Sequence, residues 1–120
     1  MKANELRIGN YILSKGNSET ITGVYQEGIK AKGGKIFGLY EIAPIPLTEE
    51  WLLNFGFYKH YVTKEDNQIW RKDWQEGYFD LEQITSFYFG HPCYSVCVTE
   101  IHQLQNLFYS LCGEELQLKE

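Results

Sequence analysis

"CYSVCVTEIHQLQNLFYSLCG" (93–113) changes its hydrophobic period halfway along. Residues 93–98 form a short run containing the β-branched Val96 and Val98, bounded upstream by proline, and read as a strand. Beyond them Ile101, Leu104, Leu107, Phe108 and Leu111 recur at helical spacing. At ~100° per residue they gather on about one third of a helix surface. Thr99 is the expected N-cap, and Gly113 supplies the left-handed stop. His102 falls almost opposite the apolar stripe and is expected to face solvent. With strands dominating the rest of the chain, this closing helix packed on a sheet fits an α+β fold.

Upstream of this stretch the strand pattern repeats. "FYKHYV" (57–62), "QIWRK" (68–72), "GYFDL" (77–81) and "SFYF" (86–89) are short aromatic or β-branched runs separated by the turn-rich "TKEDN" and "DWQEG". Before them, "PIPL" (44–47) breaks the β pattern. Thr48 then caps a two-turn helix over 49–55, with Glu49 and Glu50 at its positive end, Trp51, Leu52 and Phe55 as its stripe, and Gly56 as its stop. Downstream, "ELQLK" (115–119) has the alternation of a final edge strand.

Residues 5–42 read as β throughout. "LRIGNYILS" (6–14) and "ETITGVYQ" (19–26) flank the turn cluster "KGNS", and "GIKAKGGKIFGLYEI" (28–42) is a hairpin sequence. A type I′ turn at Gly33-Gly34 would pair Lys32 with Lys35, Ala31 with Ile36 and Lys30 with Phe37. One face would then carry Ile29, Ala31 and Ile36. The other would carry Lys30, Lys32, Lys35 and Phe37, a cationic surface suited to an anionic partner such as phosphate or nucleic-acid backbone. The same lysines would equally serve as a solvated outer face guarding a sheet edge. Lys30, Lys32, Lys35 and Phe37 are the candidate binding residues.

Sulfur and imidazole crowd the chain near its carboxyl end in the order His91, Cys93, Cys97, His102, which invites a zinc reading. Extended geometry opposes it. Residues 93 and 97 on one strand lie about 13 Å apart, whereas ligands of one zinc ion need to approach within about 4 Å of each other. A Cys93–Cys97 disulfide fails the ~7 Å Cα limit as well. Cys93, Cys97 and Cys112 are therefore expected to be small buried hydrophobes. A cysteine nucleophile paired across strands with His60 or His91 is the alternative. No metal site, cofactor or catalytic residue is assigned.

Two further groups draw attention. Asp73, Glu76, Asp80 and Glu82 cluster among aromatics, and Asp80 and Glu82 would share one strand face, although such carboxylates are usually only solvated. Trp70, Trp74 and Tyr78 would make a stacking platform or, more ordinarily, core. No Walker, Rossmann, zincin, C-x-x-C or nucleophile-elbow motif occurs, which removes the usual support for nucleotide-driven and standard hydrolase chemistry.

The 120 residues suit one domain, are 43% hydrophobic and 16% aromatic, and carry a net charge of −5, against a diffuse basic footprint for duplex DNA. The first residues begin no signal-type apolar run, and no stretch is apolar enough to span a membrane. Three cysteines without a secretion signal fit reduced thiols, so a cytoplasmic protein is expected.

Three segments, "KANELRIGNYI" (2–12), "PIPLTEEWLLNFGF" (44–57) and "IHQLQNLFYSLCGEEL" (101–116), resemble a family of small uncharacterised proteins encoded in phage and prophage regions of Bacteroides-type bacteria. That family has no established activity, so the resemblance transfers no catalytic residue. Where its members are expected to have Thr before "GEEL" with its glycine, this chain has Cys112, which speaks against a nucleophile there. Residues 5–42 are also similar in rhythm to SH3-like small barrels.

The expected fold is α+β: an antiparallel β-rich single domain over 1–120. It has an N-terminal SH3-like strand region (1–43), a short central helix and a longer C-terminal amphipathic helix, with 44–120 sharing one core. The expected function is that of a non-enzymatic binding or adaptor protein of phage or mobile-element origin, contacting its partner through a strand face or through His102, Gln103, Asn106 and Ser110. The balance favours a protein partner over nucleic acid, with no membrane contact. A small enzyme with an unrecognised pocket and a structural homo-oligomer are the alternatives.

Overall fold

The computed structural model describes residues 1–75, 77–91 and 94–119, and for His91 and Tyr94 the backbone alone. Its fold is α+β, built from two antiparallel meanders and two helices. The first meander runs β1 (Tyr11–Ser14), β2 (Asn17–Val24), β3 (Gly28–Ala31) and β4 (Ile36–Gly38), in that order across the sheet. After β4 and a 3-10 turn at Leu39–Glu41, Ala43 returns to bridge Leu13 of β1 with reciprocal hydrogen bonds of 2.9 Å. That return draws the two edges of the sheet toward each other and gives a curled half-barrel. Ile12, Ile21, Ile29 and Ala31 fill it, each at most 1% exposed.

Turn chemistry sets the registers, and here the structure corrects the sequence reading. Among the described residues two turns carry consecutive positive φ values: Gly33-Gly34 (92° and 84°), as expected, and Lys15-Gly16 (53° and 81°). Only the second sits directly between paired neighbours, closing β1 on β2 with Ser14 opposite Asn17. The β3–β4 hairpin instead closes through Lys32-Gly33-Gly34. The Gly34 N–H donates to Ala31 O at 3.0 Å, and Gly33 has φ 92°. Lys30 therefore lies opposite Ile36, and Ile29 opposite Phe37, one residue out of the expected register. Because side chains alternate at every residue, the slip exchanges faces: Phe37 turns inward onto the half-barrel core and Ile36 turns out.

The second meander, β5 (Tyr58–Val62), β6 (Gln68–Trp74), β7 (Gly77–Gln83), β8 (Phe87–His91) and β9 (Tyr94–Val98), forms a five-stranded sheet in sequence order. Its inner face presents Trp70, Phe79, Leu81, Phe87 and Val98 to helices α1 (Glu49–Asn54) and α2 (Ile101–Cys112). Burying a Phe or Leu side chain is worth about 1.5–3 kcal/mol, so this layer is the larger source of stability. Thr48 caps α1, accepting the Trp51 N–H at 3.3 Å. Glu100, not Thr99, is the N-cap of α2, because Gln103 Oε1 reaches back to the N–H groups of both Thr99 (3.0 Å) and Glu100 (3.2 Å). Gly113 ends the helix at φ 74°.

The buried side of α2 is rotated from the expected stripe. Ile101, Leu104 and Phe108 are buried as expected, but Leu111 is 54% exposed while Gln105 and His102 are 1% and 2% exposed. The N-terminal 3-10 turn at Ala3–Glu5 and the loop that follows it lie against this side of the helix. Asn106 Nδ2 donates to Glu5 O at 2.9 Å, Gln105 Nε2 to Gly9 O at 2.9 Å, and the Tyr11 N–H to Gln105 Oε1 at 2.9 Å. Asn10 donates to Asn106 Oδ1 at 2.8 Å, and Arg7 forms an ion pair with Glu115. A polar clasp thus fastens the half-barrel to α2. The segment 115–119 is not a strand. It buries Leu116 and is tied to α1 by the Lys119 N–H on Asn54 O at 2.7 Å.

Candidate functional site

The first candidate surface is the outer side of the β3–β4 hairpin. On that face Gly28 sits opposite Gly38, next to the Lys30–Ile36 pair. Neither glycine has room for a side chain: a Cβ on Gly28 would lie 2.5 Å from Phe37 O, and one on Gly38 would lie 2.8 Å from the Tyr40 ring. The result is a flat floor lying in a groove of about 420 Å³ walled by Tyr25, Lys30 and Ile36. Tyr25, Ile36 and Tyr40 are 58%, 76% and 91% exposed, an unusual density of bare apolar surface for one hairpin.

Only part of the expected lysine face is assembled. Lys30 stands beside the groove and Lys32 is exposed in the turn, its N–H donating to Thr20 O at 2.9 Å. Lys35 is drawn to β2, where its Nζ lies 3.2 Å from Glu19 Oε2. Phe37 is half-buried against the half-barrel core and contributes only the groove's inner wall. In place of a four-residue face, Lys30 lines an aromatic and aliphatic groove that Glu27 also lines, and Lys32 stands in the turn outside it.

The second candidate is the outer face of the five-stranded sheet, which holds a groove of about 570 Å³. Tyr61, Ile69, Glu82, Tyr88 and Cys97 are direct partners across all five strands and so form one row. In the next row Arg71 opposes Asp80 and grips both its oxygens, at 2.7 and 2.8 Å. The guanidinium also lies 3.6 Å from the centre of the Tyr78 ring, and the Asp80 contact raises its pKa. Asp80 and Glu82 share a face, as expected, and both line the groove together with Glu65. Asn67 donates to Glu82 Oε2 at 2.9 Å. Tyr58 donates to Asp73 at 2.9 Å, and its phenol pKa is raised by desolvation first and by that bond second.

The thiols are not the uniform buried set that was expected. Cys97 is exposed and Cys112 half-buried, while Cys93 lies outside the described residues. Cys97 faces Tyr88 and pushes its phenol pKa up, by charge first and then by a hydrogen bond. His60 is on β5 and Cys97 on β9, opposite edges of the sheet. At ~4.8 Å per strand that separation is roughly 19 Å, so the two cannot act as a pair. Among the described residues, no three His, Cys, Asp or Glu side chains gather as metal ligands. Trp70 is fully buried, with Nε1 donating to Gln83 at 2.9 Å. Tyr78 lies on the other face of the sheet, so no Trp70–Tyr78 platform forms.

A third, shallower depression of about 380 Å³ runs between the Ala3–Glu5 turn and α2, lined by His102, Gln103, Asn106 and Ser110. The four polar helix residues are thus brought together, but His102 is inside and not at the surface. Its Nε2 lies 3.8 Å from Glu5 Oε2, and Nδ1 is buried without a hydrogen-bond partner among the described residues. Burial lowers its pKa, against the raising effects of Glu100 and Glu5. No signal in 101–112 could have shown this, since the covering turn comes from the other end of the chain.

Half-barrel, five-stranded sheet and clasping helix define an α+β domain with open, sheet-based surfaces. Comparison with protein-family models, with curated proteins and with solved structures yields no match. No described helix is long and apolar enough to cross a membrane.

Proposed function

We propose that this is a non-enzymatic binding protein that docks an extended segment of a partner protein on the outer shelf of the β3–β4 hairpin. The observation that carries the reading is the exposure of Tyr25, Ile36 and Tyr40 around the groove floored by Gly28 and Gly38. Exposed aromatics beside a groove are the chemistry of protein-binding hot spots. β4 is also an edge strand, the kind of element to which an extended peptide adds. Lys30 in the groove wall, with Lys32 two residues on in the turn, favours an acidic residue at that end of the docked segment. The resemblance to phage and prophage proteins supports a mobile-element setting.

The test is selection of a displayed random-peptide library on the immobilised full chain. Peptides combining apolar and acidic residues are expected to be enriched, and to lose binding to the Ile36→Lys and Lys30→Glu variants. Both side chains are exposed, so both variants retain the fold. Three results would overturn the reading: no enrichment, enrichment insensitive to both substitutions, or salt-dependent oligonucleotide binding lost in the Lys30/Lys32/Lys35→Glu variant. A dimer dissolved by Ile36→Lys would overturn it too, by assigning the shelf to a self-interface.

A further inference from the structure

We infer that the row Ile69–Glu82–Tyr88 on the outer face of the five-stranded sheet receives an arginine side chain from a partner polypeptide. The neighbouring row already holds such a group from within the chain. There, Arg71 on β6 spans to Asp80 on β7 with two hydrogen bonds and stacks 3.6 Å from the Tyr78 ring centre. Two residues along each strand, Ile69 replaces Arg71 and Glu82 replaces Asp80 at the same cross-strand pairing, with Tyr88 directly opposite Glu82 on the next strand. Carboxylate and aromatic ring recur, and the intramolecular cation does not.

The groove over this row has the size of a side-chain or small-ligand site, about 570 Å³. Glu65, Asp80 and Glu82 line it, and none of its described lining residues is basic, so its charge is complementary to a cation. Arg71 engages both oxygens of Asp80, which leaves Glu65 and Glu82, and of these Glu82 stands in the row beside Tyr88. Asn67 holds Oε2 of that carboxylate at 2.9 Å, orienting it while Oε1 accepts no bond from the described residues. Tyr61 and Ile84, 51% and 54% exposed, extend the groove as apolar surface on either side. A planar guanidinium with an apolar stem uses all of these features: a fixed carboxylate, a ring to stack on and an apolar flank. A compact hydrated cation uses only the carboxylate. The open, strand-crossing shape fits a side chain delivered by an extended polypeptide.

The site lies on the sheet that does not carry the β3–β4 shelf, so the two readings fail independently. The experiment is an NMR titration of the full chain with acetyl-Gly-Arg-Gly-amide, with the citrulline analogue and spermidine as comparison probes. Saturable shifts at β7 and β8 amides are expected with the arginine peptide. Affinity should fall about tenfold or more in Glu82→Gln, in line with loss of a charge-assisted hydrogen bond. In Tyr88→Leu it should fall about two- to fivefold, and in Ile36→Lys it should not change. Glu82→Gln keeps an oxygen for Asn67, and its amide spectrum reports whether the fold is intact; Tyr88→Leu decides the matter if it is not. No shift with the arginine peptide, equal binding of the citrulline peptide, an unaffected Glu82→Gln variant, or tighter binding of spermidine would each overturn the assignment.

Discussion

Gln105, on α2, holds the backbone of the chain's first loop from both sides: its Oε1 accepts the Tyr11 N–H and its Nε2 donates to Gly9 O, each at 2.9 Å. At 1% exposure this amide is the buried centre of the clasp that joins half-barrel to helix. Gln105→Leu has nearly the same volume but leaves a backbone donor and acceptor without partners. Each such buried group costs about 1–3 kcal/mol, so a loss of roughly 2–4 kcal/mol is expected. Urea unfolding should show a lower midpoint with an unchanged slope.

His102 makes stability depend on pH in a defined direction. Its native pKa is lowered by burial below the ordinary value of 6.5, with Glu5 and Glu100 opposing the shift. The unfolded chain therefore binds the proton more readily than the native one. Stability from this residue is complete above the ordinary imidazole pKa, declines as pH falls below it, and levels off beneath the native value. His102→Gln should flatten that part of the stability profile, measured by denaturant midpoints between neutral pH and the onset of carboxylate titration.

Gly28 reports on the hairpin register. A methyl group there meets Phe37 O at 2.5 Å. Gly28→Ala should cost about 1–3 kcal/mol through that overlap, read as a lowered thermal midpoint. Under the alternative I′ register, which pairs Lys30 with Phe37, this clash would have no reason to exist, so an unchanged midpoint would count against the register described.

Thiol labelling of the native protein should separate the cysteines. Cys97 is exposed, whereas Cys112 is half-buried and its pKa is raised by burial first and Glu114 second. Brief alkylation near neutral pH followed by peptide mapping should modify Cys97 several-fold faster than Cys112. Equal rates would show α2 fraying at its C-terminal end.

The elements with local causes were legible in the sequence. Thr48 and Gly56 bracket α1, Gly113 closes α2, and each turn-separated aromatic run became a strand. What escaped depended on distant residues. A Gly-Gly pair serves several turn types, and the choice was made by Phe37, whose larger ring fills the half-barrel while Ile36 is left outside. His102 read as solvent-facing, and Gln105 drew no attention, because helical periodicity sees one helix alone, while the groups that cover them arrive from residues 5–11. The 115–119 segment alternates like a strand, yet no strand edge is paired with it, and Leu116 docks into the core instead. Of the residues expected on the outer face of the hairpin, Lys30 lies there and Phe37 turns inward; the shelf beside Lys30 needed the register to be visible.

The clasp also orders events during synthesis. Every strand pairs with its sequence neighbour, so both meanders can close as they leave the ribosome. Tyr11 and Asn10, however, wait for hydrogen-bond partners 94 to 96 positions downstream. A nascent or truncated chain lacking α2 would carry a half-barrel with a raw polar seam, and completion of the last helix is the moment at which that seam closes.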